Sequence, residues 1–210
     1  MRLAKKIRTL PGLGFLLWIL WGCATPVPTA TTIAPTATPL PVPPTATSAA
    51  LPSGWKMFTS DKYHYSVGYP TDWKITPATE LLNISSTGIP HRGDDIADTF
   101  ESPGKTSTGV IEIAAQELSA GSTLDDWTST NIQGVRNIGG CEPASREPLH
   151  VGGEPATILT YDPCGAFYIL HVTFVHGHTG YLAYWLSDPG NEAQDRTTFQ
   201  QFLATLSFAK

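Results

Sequence analysis

From Trp55 onward, apolar residues recur at every second position or fill short runs bounded by Gly, Pro, Asn and Asp, which is the pattern of strands. Trp55–Thr59 and Tyr65–Tyr69 read as the first two strands. Trp73–Thr76 reads as a third, after a turn at Pro70-Thr71-Asp72. Leu81–Ser86 and Ile96–Phe100 are weaker strand expectations, with a loop over Gly88–Asp95 between them. Val110–Leu118 is a clear strand, with Ile111, Ile113 and Ala115 on one face and Glu112, Ala114 and Gln116 on the other. The chain is organised around Pro148–Leu186, which reads as three consecutive antiparallel strands. Their turns fall at Gly152-Gly153, a two-residue hairpin signal, and at His176–Gly180. Ala166–Val175 and Tyr181–Leu186 are apolar at nearly every position. A strand with one wet face alternates, so this meander is expected in the middle of a sheet covered on both faces.

Two helices interrupt the strands. Thr123 is a good N-cap, and Asp125 and Asp126 follow in the first turn, where the helix dipole favours anions. Leu124, Trp127 and Ile132 are expected on the apolar face of this helix. Asn191-Glu192-Ala193-Gln194 opens the last helix with a similar cap signal. There Phe199, Phe202, Leu203 and Leu206 follow the spacing of a buried helical stripe. These elements predict an α+β fold, an α-β-α sandwich with a central antiparallel sheet flanked by helices.

The first 51 residues follow a different pattern. Met1–Gly22 carries a basic start (Arg2, Lys5, Lys6, Arg8) and an apolar run from Leu10 to Trp21, which is too short to span a bilayer comfortably. It ends in Leu20-Trp21-Gly22-Cys23, which resembles a bacterial lipobox; Trp21 departs from the small residue usual there. The motif implies a lipoprotein signal peptide over residues 1–22 and lipidation of Cys23. Residues 24–50 hold no charged residue and repeat Pro-Thr-Ala-Thr three times, so residues 23–51 read as a disordered, extended tether. At polyproline spacing it reaches about 80 Å. Residues 52–210 are then one globular domain by length.

Charge narrows the partners. Without the four basic residues of the signal, nine Lys and Arg face 18 Asp and Glu, a formal charge near −9. Nucleic acid and anionic membrane surfaces are unsuited to such a chain. Cys141 and Cys164 remain after Cys23, in a compartment where disulfides persist. A two-residue turn at Gly152-Gly153 puts Val151 opposite Glu154, Leu149 opposite Ala156 and Cys141 opposite Cys164. Pro143 and Pro163 interrupt the ladder before that point, but both cysteines leave the hairpin at the same end, so a disulfide is expected.

The residues YHYSVGYPTDW, TLDDW and VGGEPATILTY, the final YLAYWLSDP and the Phe-rich end at LSFAK resemble the PsbP-like superfamily. That superfamily shares its fold with a small eukaryotic Ran-GTPase-binding protein of the Mog type. The resemblance spans most of Trp55–Lys210 and rests on fold-defining Tyr, Pro, Trp, Gly and Phe positions, not on a catalytic signature. It implies a PsbP-like domain; bacterial members are often tethered lipoproteins, and plant members are extrinsic photosystem subunits. The photosystem role has no residue here to carry it.

The chemistry-bearing residues are scattered. There is no G-x-S-x-G, H-E-x-x-H, P-loop or G-x-G-x-x-G. His176-Gly177-His178 is the close pair among six histidines, and His176 and His178 are the metal candidates if carboxylates join them. In a turn the polar-loop reading is preferred, and no metal or cofactor is expected. His171, in an apolar strand, reads as a hydrogen-bonded core histidine, and His64 as part of a polar strand face. Asp94-Asp95 reads as a solvated loop, and Asn83-Ile84-Ser85 as an unused glycosylation pattern. Trp55, Tyr63, Tyr65, Tyr69 and Trp73 cluster near the domain start. Most of them are expected in the core or in strand pairs; exposed on one side, they would form a candidate binding surface. The reading is a lipid-anchored extracytoplasmic, non-catalytic binding or assembly module of the cell envelope. The alternative is a small-ligand carrier with an apolar pocket between sheet and helix.

Overall fold

The computed structural model describes residues 51–84, 95–104, 109–187 and 190–208. The expected signal, the expected tether up to residue 50 and the expected lipidation site Cys23 lie outside the described residues, as do His91, Asp94 and most of the expected loop over 88–95. Ten strands and two helices are described: β1 Trp55–Thr59, β2 Tyr65–Pro70, β3 Lys74–Thr76, β4 Asp98–Glu101, β5 Val110–Glu117, α1 Leu124–Gly139, β6 Ser145–Val151, β7 Glu154–Cys164, β8 Phe167–His176, β9 Thr179–Ser187, α2 Glu192–Ala204 and β10 Ser207–Phe208.

Both sheets are antiparallel. The large one has seven strands in the order β3-β4-β5-β9-β8-β7-β6, and the small one has three in the order β1-β2-β10. The Gly152-Gly153 hairpin has the expected register, with Val151 opposite Glu154 and Leu149 opposite Ala156. Both glycines sit at positive φ, 62° and 89°, as a tight hairpin turn requires. A Cβ on Gly152 would also lie 2.9 Å from the Phe208 ring.

The expected three-strand meander is four strands. A further two-residue turn at Gly165-Ala166 pairs Cys164 with Phe167 and splits the run into β7 and β8. Leu81–Ile84 is not a strand, although Leu82 N–H donates to Ala115 C=O beside β5. β6 is an outer strand of the large sheet. Its exposed Arg146, Glu147 and Pro148 make it a poor template for further pairing.

The two faces of the large sheet are covered differently. On one face Ile111, Ile113, Leu170, Val172, Phe174, Ala183 and Trp185 pack with Phe199, Phe202 and Leu203 of α2 and with Tyr65, Val67 and Tyr69 of β2. The small sheet therefore shares this layer with α2, where the sequence pattern alone predicts only a helix. On the other face Trp127 of α1 packs with Ala114, Leu182 and Tyr184, and Val135 packs with Leu159, Tyr161 and Ile169.

The caps differ between the helices. Thr123 forms a reciprocal capping box with Asp126, and Gly140 closes α1 at φ 68°. Asn191 makes no side-chain cap on α2, contrary to expectation. Instead Glu192 Oε1 accepts from Gly190 N–H, and this bond holds its carboxyl below the usual range.

Candidate functional site

The aromatic cluster near the domain start is core and not surface. Tyr63, Tyr65 and Tyr69 are buried, and Trp55 and Trp73 are partly buried against the same core. Alternation explains this: Tyr65, Val67 and Tyr69 share one face of β2, and that face turns inward. Tyr65 O–H donates to Asp98 Oδ2 at 2.8 Å, and Asp98 Oδ1 accepts from Ala78 N–H. Burial beside Asp98 raises the Tyr65 hydroxyl well above its ordinary value. Trp73 stands edge-on to Trp185 at 5.9 Å. What the cluster leaves at the surface is small: Lys56 Nζ lies 5.0 Å from the Tyr69 ring centre.

The cysteines pair. Cys141 and Cys164 form a disulfide with their Cα atoms 5.6 Å apart, at 23 residues' separation. It fastens the end of α1 to the β7–β8 turn. Replacing both cysteines by serine is expected to lower the unfolding free energy by about 3 kcal/mol through the freed loop entropy. Denaturant titration of the oxidised and double-serine chains checks this. Equal midpoints and slopes would show that the bridge adds nothing to stability.

His176 and His178 part company. His176 Nδ1 lies 2.8 Å from Glu154 Oε1, and its ring stacks on Phe208 at 3.9 Å between centroids. His178 is exposed at the tip of the β8–β9 turn. Among the described residues no three of His, Cys, Asp and Glu come together to hold a metal ion.

A buried polar row crosses the large sheet beneath α1, and of its members the sequence singled out His171 as a core residue. Glu112 on β5 lies opposite Tyr184 on β9, which lies opposite His171 on β8. Tyr184 O–H donates to Glu112 Oε2. The His171 ring stands between those of Tyr161 and Tyr184, 5.4 Å from each. Contrary to expectation, His171 Nδ1 has no hydrogen-bond partner. Burial pushes this imidazole down from 6.5 to about 3, so it is neutral at physiological pH. Above the row, α1 turns inward Trp127, Thr128, Asn131 and Val135; of the expected stripe Trp127 is buried, Ile132 packs partly buried beside Val135 and Leu124 is half-buried.

One end of the domain carries an open depression. It is lined by Lys62, His64, Leu81, Gln116, Glu117 and Thr179, where the β1–β2 turn meets the ends of β5 and β9. The turn is tied down by Tyr181 O–H donating to Tyr63 C=O at 2.9 Å. His64 is not on a strand face but in this turn, at φ 58°, a conformation that costs a residue bearing a Cβ about 1 kcal/mol. Leu81 is 48% exposed. A search for chemistry-bearing residues passes over this place, because its one informative feature, an exposed leucine, has no signature in sequence.

Antiparallel sheets with two helices and a core of paired aromatics define an α+β domain of PsbP-like fold. The solution structure of cyanobacterial PsbP (CyanoP) from Synechocystis sp. PCC 6803 matches at a TM-score of 0.55 and 12% identity, covering 80% of this chain and 100% of that one. A crystal structure from Bacteroides thetaiotaomicron VPI-5482 is more distant, at a TM-score of 0.48 and 16% identity over 75% of this chain and 49% of that one. So is a protein of unknown function from Pseudomonas aeruginosa, at 0.45 and 10% identity over 74% and 98%. No protein-family model and no curated protein matches the sequence.

Proposed function

We propose that this protein is a lipid-anchored, extracytoplasmic binding or assembly module of the cell envelope, without catalytic activity. The observation that carries the reading is the Cys141–Cys164 disulfide, taken with the Leu20-Trp21-Gly22-Cys23 motif. A bridge of this kind persists outside the reducing cytoplasm, where a lipidated Cys23 and an uncharged Thr/Pro tether also belong. The domain is read as an α-β-α sandwich whose one outer layer is shared by α2 and the small sheet. Between the large sheet and α2 the space is filled by Phe100, Phe174, Trp185, Phe199 and Phe202. That packing favours a partner held on the surface over a small ligand carried inside.

The surface this reading selects is the depression around Lys62, His64, Leu81 and Glu117. The depression lies at the turn end of the β1–β2 hairpin, and the chain enters β1 at the other end of that hairpin.

Intact mass and membrane partition test the anchor. The expected result is a chain beginning at a diacylated Cys23, and a Cys23→Ala chain that no longer fractionates with membrane. A chain running unlipidated from Met1 would overturn the anchor. A photo-crosslinking side chain at Leu81 tests the surface, with Ile138, exposed beside the disulfide, as control. Adducts at position 81 and none at 138 are expected, and the reverse would move the contact elsewhere.

A further inference from the structure

The α1–sheet interface contains polar atoms that ordinary core packing does not explain. Thr128 Oγ1 on α1 lies 2.8 Å from Thr173 Oγ1 on β8, which fixes how the helix crosses that strand. One turn further along the same helix face comes Asn131, and one turn beyond that Val135, packed with Leu159, Tyr161 and Ile169. His171 lies on β8 between Thr173 and Ile169, on the same face of the sheet. Asn131 is therefore placed over the stretch that carries His171 and Tyr161.

Three fully buried polar atoms in this stretch have no partner: Asn131 Oδ1, His171 Nδ1 and Tyr161 Oη. Asn131 Nδ2 donates to Trp127 C=O at 2.8 Å, which fixes the amide so that its oxygen is the atom left over. A buried polar atom left unbonded is costly, and native proteins seldom leave three in one place.

The chemistry of the three atoms selects their ligand. Tyr161 Oη donates and accepts, Asn131 Oδ1 only accepts, and a neutral imidazole nitrogen does one or the other. The formal charges that act on them, Arg136 and Glu142 beside the Tyr161 hydroxyl, are bonded to each other, and Glu112 across the sheet accepts from Tyr184. An ion of either sign therefore lacks its counter-charge. A small neutral molecule that both donates and accepts meets all three requirements. We propose that the interface between α1 and strands β7 and β8 is a water-binding site, where one or two ordered molecules bridge Tyr161 Oη, His171 Nδ1 and Asn131 Oδ1.

The site makes α1 a layer attached partly through solvent, which neither the fold nor the envelope reading implies. A crystal structure of the full chain, at a resolution that shows ordered solvent, is the direct test. Density within hydrogen-bonding distance of at least two of the three atoms is expected. A dry interface, or direct bonds among the three side chains, would overturn the proposal. Unfolding equilibria of Tyr161→Phe, Asn131→Leu and the double variant give a second readout. Groups joined by a shared water are coupled without touching. The double variant is therefore expected to unfold about fivefold less readily than the product of the single effects. Independent effects in chains that fold would count against a shared molecule.

Discussion

Replacing Trp127 with alanine is expected to lower the unfolding free energy by about 4 kcal/mol, the upper range for emptying a large buried aromatic site. The indole is 2% exposed, and its Nε1–H donates to Tyr181 C=O at 2.8 Å, so the change removes both packing and a bond from α1 to β9. The same ring explains Gly180. A Cβ there would lie 2.8 Å from Trp127 Cδ2 and 3.0 Å from Leu118 Cδ2. Gly180→Ala alone is therefore expected to destabilise the fold. In the Trp127→Ala background its methyl enters the emptied space, and the pair should fall short of the summed losses by about 1–2 kcal/mol. Chemical denaturation of the four chains checks both statements. A fully additive pair would mean that the ring and the glycine do not answer to each other.

Acid is expected to weaken the domain across the range from pH 6.5 down to about 3, through His171. Its folded value is depressed to about 3 from 6.5 by burial. In that window the unfolded chain takes up a proton that the folded chain refuses, so stability falls as pH falls. Above pH 6.5 both states leave the ring neutral and the effect vanishes. The groups around the ring are the Tyr161 and Tyr184 rings, with Glu112 bonded to the Tyr184 hydroxyl and Asn131 on the helix above. In full the effect amounts to about 5 kcal/mol. Unfolding free energies of the parent and His171→Leu chains against pH measure it. The variant should lose most of the slope between pH 6 and about 4. An unchanged slope would place the acid sensitivity in other groups.

Much of the strand order was legible because the strongest signals were local. Gly152-Gly153 admits few turn geometries, and once its register is fixed the cysteines fall into place at the far end of the hairpin. The Thr123–Asp126 cap and the Phe199–Phe202–Leu203 stripe are local in the same way. The turn at Gly165-Ala166 was missed because a single glycine beside Pro163 and Cys164 sits inside an otherwise continuous strand-like run. The aromatic cluster lies in the core, as most of it was expected to, but its conditional surface reading needed the structure. Alternation shows that Tyr65, Val67 and Tyr69 share a face, but it does not show which face turns inward. His171 was legible as a core histidine, but the exposed Leu81 and the row-mates Glu112 and Tyr184 were not. Their partners lie many residues away, and apolar periodicity counts such positions only as exceptions.

The bond between Gly68 N–H and Thr205 Oγ1 joins positions 137 residues apart, and β10 then pairs with β2 through Ser207 and Phe208. A chain made from its N-terminus presents the β1–β2 hairpin first and its third strand last. A two-stranded hairpin is marginal in water by itself. The domain's opening segment therefore has no settled structure until almost the final residue has appeared, and a chain cut short before Thr205 would be left loose at its beginning and not only at its end.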